Sequence, residues 1–250
     1  MEIQKYRKIK NNMYEIHLDN GSILKLYDDC IIKFSLLLNK KINHKELIEI
    51  TKYNEELEAY YLALRHLSKK MRSKLEVQKQ LEKNEYNQKI IDDIISRLEK
   101  EGYLNSEKYI KSYINDQLNL TSNGPDKIKY NLIKFGFNEH EIVIEYDFSD
   151  KIKSLIDKKI KLNRKYNTSN LKINITQYLI NLGYPKEMFM EYLNDIKVND
   201  KSLIKKDYEL LTKKYQRKYA DKELKLFVRD KLYKKGYNIE EIREVMNNEL

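Results

Sequence analysis

From about residue 56 the chain repeats one hydrophobic pattern four times. Anchored on Leu81, Leu132, Leu179 and Leu232, each copy has an aliphatic residue four positions earlier, at Val77, Ile128, Ile175 and Val228. An aromatic stands five positions later, at Tyr86, Phe137, Tyr184 and Tyr237. Large apolar residues follow ten positions later (Ile91, Ile142, Phe189, Ile242) and fourteen later (Ile95, Tyr146, Leu193, Met246). The copies are 51, 47 and 53 residues apart. An i, i+4 pair shares one helix face, and the offset to the next group marks a second helix beyond a turn. Columns held in register over four copies are what repeated packing requires, so these residues are read as core rather than as a cofactor box.

The punctuation agrees. Gly136, Gly183 and Gly236 sit just before the aromatic, where a helix C-terminus calls for a left-handed residue; the first copy has Asn84-Glu85 there, and Asn is the next-best choice. Ser73 with Glu76, Asn138 with Glu141 and Asn238 with Glu241 have capping-box spacing. A further amphipathic helix precedes each copy, so each unit is expected to hold three helices, with loops near 119–124, 166–170, 197–201 and 218–221. Ahead of the repeats, residues 3–27 alternate as strands do: Tyr14, Ile16 and Leu18 point one way, Asp19-Asn20-Gly21 supplies a turn, and Ile23, Leu24 and Leu26 resume, which predicts a β-hairpin. Residues 28–53 read as helix, with Ile31, Ile32, Phe34, Leu36 and Leu37 mostly buried. The expected fold is mainly α: a hairpin-plus-helix head at 1–55, then repeats at 56–100, 101–149, 150–198 and 199–250 forming an elongated curved array.

Composition narrows the function classes. No apolar run approaches the roughly 20 residues of a membrane span, and the first residues lack the apolar stretch of a signal peptide. One cysteine, Cys30, excludes an intramolecular disulfide and fits a reducing compartment. The expectation is a soluble cytoplasmic protein with no membrane partner. Net charge is +10, and it is uneven: residues 1–100 carry +4, residues 101–150 carry −4, and residues 151–250 carry +10. A basic C-terminal half favours phosphate-rich or acidic partners, although 41 Lys against 8 Arg with only three Ala also fits an AT-rich coding bias.

A search for chemistry finds little. His17, His44, His66 and His140 lack ligand-like spacing, one cysteine cannot build a zinc site, and no two glycines stand close enough for a phosphate loop. His140-Glu141 reads as the first turn of a capped helix, Asp92-Asp93 and Glu55-Glu56 as solvated acids, and Cys30 as a small buried residue. Neither a catalytic role, nor a cofactor, nor a metal is implied. Two basic surfaces remain. In the first repeat Arg65, Lys69, Lys70, Arg72 and Lys74 span the end of one helix and the start of the next. In the last, Lys213, Lys214, Arg217, Lys218, Arg229, Lys234 and Lys235 are interleaved with Tyr215, Tyr219 and Tyr233. Basic and aromatic residues together can hold single-stranded nucleic acid; an ordinary lysine-rich solvated face is the plainer alternative.

The stretch 59–146 carries a resemblance. It reads Ala-Tyr-Tyr-Leu-Ala-Leu-Arg-His-Leu, then Lys-Lys-Met-Arg-Ser-Lys-Leu-Glu, then Glu101-Gly102-Tyr103-Leu104-Asn105 and Gly124-Pro125 before Ile128, Leu132 and Gly136-Phe137. This resembles the RecX family, above all in Arg72-Ser73-x-x-Glu76 and the Gly102-Tyr103-Leu104-Asn105 turn. The head, including Asp-x-x-Ile-Lys-Phe at 29–34, is similar to that of longer Gram-positive members. Ser106, Ile110 and Val77 depart from the residues usual in the family, which places the chain among divergent members. The resemblance implies a monomeric regulator that binds the RecA recombinase filament along its groove and restrains it, with weaker electrostatic binding to single- and double-stranded DNA. Two other readings stay open: a general DNA-binding helical protein, and a helical-repeat scaffold for an unrelated protein.

Overall fold

The computed structural model describes residues 1–10, 12–163, 165–196 and 200–247. They are mainly helical behind a small N-terminal sheet. The chain forms two compact units, Met1–Tyr113 with Ile133–Glu141, and Ile114–Leu132 with Ile142–Leu250.

In the first unit, β1 (Ile3–Lys10), β2 (Met13–Leu18) and β3 (Ile23–Tyr27) form an antiparallel meander in that order. The predicted turn joins β2 to β3, with Gly21 at φ +82 and its N–H donating to the Leu18 carbonyl at 3.0 Å. The sheet thus has three strands rather than the two of a hairpin. The extra edge strand, β1, fully buries only Ile3 and half-buries Tyr6, with Ile9 exposed among lysines, Arg7 and glutamine.

The single helix expected over 28–53 is two. Helix α1 (Asp28–Lys33) ends at Phe34, Ser35 takes φ +50, and α2 (His44–Leu67) starts from a complete capping box of Asn43 with Glu46. That break splits the expected buried run: Ile31 and Leu36 are buried, whereas Ile32 is 70% and Leu37 63% exposed. Helix α2 then serves two cores. It gives Ile50 and Leu57 to the cluster of Ile16, Leu18, Leu26 and Cys30, and Ala59 and Ala63 to the cluster of Val77, Leu81, Ile91 and Leu98. The latter residues lie on α3 (Lys74–Glu82) and α4 (Gln88–Lys100). Gly102, at φ +78, closes α4, and Asn105 caps α5 (Ser106–Leu120) by accepting from the Lys108 N–H at 2.8 Å.

Beyond α5, the chain continues through α6 (Pro125–Lys134), α7 (Ser149–Leu162), α8 (Thr168–Asn181), a short α9 (Met190–Asn194), α10 (Asp200–Tyr215), α11 (Asp221–Lys234) and α12 (Ile239–Asn247). The anchor pairs of all four copies sit at the centre of these packings; Val77, Leu81, Ile128, Leu132, Ile175, Leu179, Val228 and Leu232 are fully buried. The helix expected after Phe137 does not form. Glu141 accepts from the Asn138 N–H at 2.8 Å, yet only a 3-10 turn, Glu139–Glu141, follows. The next residues, Ile142-Val143-Ile144-Glu145-Tyr146, are mostly β-branched or aromatic, which disfavours helix, and the Asp147 side chain accepts from the Ser149 N–H in the turn that leads into α7. Tyr146, expected in the core, is 46% exposed, while Phe148 is buried with its ring centre 5.7 Å from that of Tyr184. At Asn238 only half of the box forms: Glu241 accepts from the Asn238 N–H, and the Asn238 side chain accepts from Glu240 instead. The loop expected at 166–170 closes at Asn167, the cap of α8, and part of the loop expected at 197–201 lies outside the described residues.

What joins successive copies is a close backbone approach. Gly183, at φ +84, lies over the start of α6, where a Cβ on it would stand 2.5 Å from the Lys127 backbone nitrogen. The Leu182 and Gly183 carbonyls accept from the Gly124 and Asp126 N–H groups at 2.7 and 3.0 Å, satisfying donors that a helix start otherwise leaves unpaired. Gly236 lies over the start of α8 at ordinary contact distance, a Cβ there being 3.4 Å from that of Ser169, and the Lys235 carbonyl accepts from the Asn167 and Asn170 side-chain amides at 2.7 and 2.6 Å. Gly136 lies over the start of α3, where its Cβ would be 2.9 Å from that of Leu75. In the first copy the left-handed residue is Glu85 (φ +63), not Asn84. Glu85 is exposed, so the strain of a side chain there is conformational only.

Point substitutions separate conformational strain from collision. In urea titrations followed by circular dichroism, Gly183→Ala is expected to cost about 1–2 kcal/mol for the left-handed conformation plus about 1–3 kcal/mol for overpacking. Gly102→Ala, where nothing lies within 4 Å of a Cβ, should show only the first loss, and Glu85→Gly should raise the unfolding midpoint slightly. Equal midpoints for Gly183→Ala and Gly102→Ala would contradict the close approach.

Candidate functional site

The basic residues of the first repeat are not equivalent. Arg65 lies in the last turn of α2 and, with Lys10, edges an open groove of about 450 Å³ floored by Met13, Tyr27, Tyr61 and Leu64. Lys69 is exposed and pairs with no acid among the described residues. Lys70, Arg72 and Lys74 are engaged. Arg72 meets Glu76 at 3.0 Å, Lys70 meets the same carboxylate at 3.6 Å, and Lys74 meets Glu99 at 3.0 Å.

Glu76 is the hub of this corner. Ser73 and Glu76 complete the capping box of α3, and the Tyr109 hydroxyl of α5 donates to Glu76 at 3.4 Å. Burial opposes the ionised carboxylate, but the Ser73 N–H, Arg72 and Lys70 outweigh it and hold the group below the usual carboxylate range. Burial is also the main cause that depresses His66, helped by the positive field of Arg72, Lys69 and Lys70. The Arg72-Ser73-x-x-Glu76 element is therefore a structural junction whose leftover charge faces solvent at Arg65 and Lys69.

In the last repeat the structure builds a more distinct surface. Lys213 and Lys214 end α10, and Arg217 and Lys218 occupy the turn before α11; all four are exposed. Tyr215 and Tyr219 converge there with Phe227, which sequence reasoning passes over. The Phe227 ring lies 4.7 Å from Tyr215 and is stacked at 4.6 Å on Tyr219. Lys214, Lys218 and Lys231 stand 5.4, 5.6 and 5.2 Å from the Tyr215, Tyr219 and Phe227 ring centres. A signal for Phe227 is present, because the equivalent positions of the other copies hold the polar Glu76, Lys127 and Asn174. Half-buried rings ringed by cations can stack bases while the ammonium groups meet phosphates.

The other predicted residues lie apart from this platform. Lys235 pairs with Asp207 at 2.8 Å, beside the Tyr237 hydroxyl that donates to the same carboxylate, so it braces the repeat. Arg229 pairs with Asp230 at 3.3 Å and, with Tyr233, edges a cleft between α11 and α12. Lys234 is exposed. Tyr233, expected among the interleaved tyrosines, belongs to that cleft instead. Among the described residues no group of three His, Cys, Asp or Glu could hold a metal, and no helix is long and apolar enough to cross a membrane. Cys30 is buried, which pushes its thiol up to about 11.

Comparison with known proteins adds a family pattern. Residues 59–98, from the second half of α2 into the last turn of α4, match the family model described as RecX, first three-helix domain. Over its full length the chain is 30% identical to the full length of "Regulatory protein RecX" of Streptococcus agalactiae serotype III, and 31% identical over full lengths to that of Streptococcus pyogenes. A solved structure described as "Crystal structure of regulatory protein RecX" superposes with a TM-score of 0.64 at 22% identity, covering 78% of this chain and all of that one; the likeness extends to the fold.

The depressed Glu76 carboxyl sets a direction for acid stability. Its ionised form contributes stability above the usual carboxylate range, and that contribution is lost as pH falls through its lower folded value. Glu76→Gln is expected to melt lower than the parent at pH 7, and to lose less melting temperature between pH 6 and pH 3. Identical pH profiles for the two proteins would remove the hub role.

Proposed function

Because the chain belongs to the RecX family of regulatory proteins, we propose that it binds the RecA recombinase filament on DNA and mainly inhibits its growth, ATP hydrolysis and strand exchange. In this reading it acts as a cytoplasmic monomer in DNA repair and recombination. Its head spans residues 1–55, and its repeats span 56–100, 101–149, 150–198 and 199–250. The observation that carries the reading is the platform of Tyr215, Tyr219 and Phe227 with Lys214, Lys218 and Lys231 around it. Cations next to stacked rings match a nucleoprotein partner, in which phosphates and unpaired bases lie together. Arg65 and Lys69 supply a second, weaker contact on the first repeat. The reading gives DNA alone a weaker, salt-sensitive affinity.

Replacing Lys213, Lys214, Arg217 and Lys218 together by glutamine tests this. Binding to recombinase filaments on labelled single-stranded DNA is expected to weaken at least about tenfold. The slope of log affinity against log salt should flatten by about 0.7 for each phosphate that is no longer neutralised. Unchanged affinity and slope would remove the platform from the interface. Tight binding of the parent chain to bare DNA, with no added affinity for recombinase-coated DNA, would favour a plain DNA-binding protein.

A further inference from the structure

The last repeat carries a second surface of different chemistry. The cleft between α11 and α12 has a volume of about 310 Å³ and is lined by Arg229, Asp230, Tyr233, Ile239, Ile242, Arg243 and Met246. Arg229 and Tyr233 are one turn apart on α11. Ile239, Ile242, Arg243 and Met246 follow the i, i+3, i+4, i+7 spacing of one α12 face. Ile242 is buried as part of the repeat core, but Tyr233 is 60% and Ile239 51% exposed. Large apolar groups thus remain open to solvent in a cleft that Arg229 and Arg243 also line. Arg229 is held by Asp230 at 3.3 Å in a pair exposed on both sides, an interaction weak enough to exchange for another carboxylate. Arg243 pairs with no acid among the described residues.

Comparison between copies shows that packing does not demand this surface. The first-repeat positions equivalent to Arg229, Tyr233, Ile239 and Arg243 hold Gln78, Glu82, Gln88 and Asp92. There the side chains bond along their own helices, Gln78 to Glu82 and Gln88 to Asp92, at 2.9 and 2.8 Å. The middle copies hold Lys129, Ile133, Glu139 and Val143, and Thr176, Ile180, Lys186 and Met190, at these positions, so the fold accepts polar and apolar faces alike, and what is particular to the last repeat is two guanidinium groups beside the exposed apolar side chains.

We propose that the α11–α12 cleft binds an acidic segment of a protein partner, inserting a large apolar side chain between Tyr233, Ile239 and Met246 while its carboxylates meet Arg229 and Arg243. Planar guanidinium groups match carboxylates with paired hydrogen bonds. The aliphatic floor, with one phenol, suits a leucine or phenylalanine side chain better than stacked bases, which need aromatic faces of the kind found at Tyr215, Tyr219 and Phe227. The inference rests on the reading that the partner is a protein–DNA assembly, and it assigns the protein side of that contact to this cleft.

The full chain is titrated against a fluorescein-labelled Gly-Glu-Asp-Leu-Phe-Glu-Asp-Gly peptide, with anisotropy as the readout. Two control peptides replace Leu-Phe by Ser-Ser, or the acids by their amides. The parent chain should bind the first peptide at least tenfold more tightly than either control. Arg243→Glu should weaken binding at least tenfold and Ile239→Ser about threefold or more; both side chains are exposed, so unchanged melting temperatures are expected. The four-glutamine variant at Lys213, Lys214, Arg217 and Lys218 should bind the peptide normally. Equal affinity for Arg243→Glu and parent, or equal binding of the Ser-Ser control, would overturn the proposal. So would displacement of the peptide by oligothymidylate whose own binding Arg243→Glu weakens, since nucleic acid would then occupy the cleft. Peptide binding with no filament binding counts against the proposed function alone; filament binding with no peptide binding counts against this cleft alone.

Discussion

The turns that end two of the middle helices, at Gly136 and Gly183, lie closer to the start of the middle helix one copy earlier than a Cβ would allow, and the third, at Gly236, is in ordinary contact there. At Gly183 the obstacle is the backbone of Lys127, which cannot move aside like a flexible side chain. The approach lets carbonyls at the end of α8 receive N–H groups at the start of α6, and lets Asn167 and Asn170 reach the carbonyl of Lys235. Each contact pairs polar backbone that would otherwise be left without a partner. The burial of the anchor residues and the spacing of the copies depend on it. Glu85 marks the limit of the rule, because a left-handed residue that nothing packs over need not be glycine.

With these columns committed to packing, the positions free to differ are those facing solvent, and the last copy has its own set. Phe227 stands where the other copies hold polar residues and completes an aromatic platform among lysines, while Arg229 and Arg243 stand where the first copy holds glutamine and aspartate, beside exposed apolar groups. Ammonium and guanidinium groups both meet phosphates and carboxylates, and what separates the two surfaces is the floor, packed aromatic rings at one and mainly aliphatic side chains at the other. One repeat thereby offers two surfaces with different preferences, as a regulator of a nucleoprotein assembly would use. The corner at Glu76 plays another part: its cations are largely spent on holding α3 and α5 in place.

Much of the fold is legible in the sequence because its signals are local or periodic. The anchor columns, the left-handed glycines and the Ser73–Glu76 box each follow from spacing alone, and each is present. What escapes depends on competition or on distance along the chain. A cap and two column positions predict a helix after Phe137, but a β-branched run overrides both. The head helix reads through Ser35 because no glycine or proline marks the break, although Asn43 and Glu46 announce a new start. Charge can be counted in the sequence, yet whether a lysine is spent or free cannot. Lys235 and Arg72 are bound to acids 28 and 4 residues away, and Phe227 meets Tyr215 across a turn.

The most direct test of the proposed role is the single-stranded-DNA-dependent ATP hydrolysis of the recombinase from the same organism, measured as this protein is added at ratios well below one per recombinase subunit. The account predicts inhibition at those ratios, since one molecule seated on a filament restrains many subunits. Undiminished hydrolysis up to equimolar protein, with binding to bare DNA retained, would contradict it.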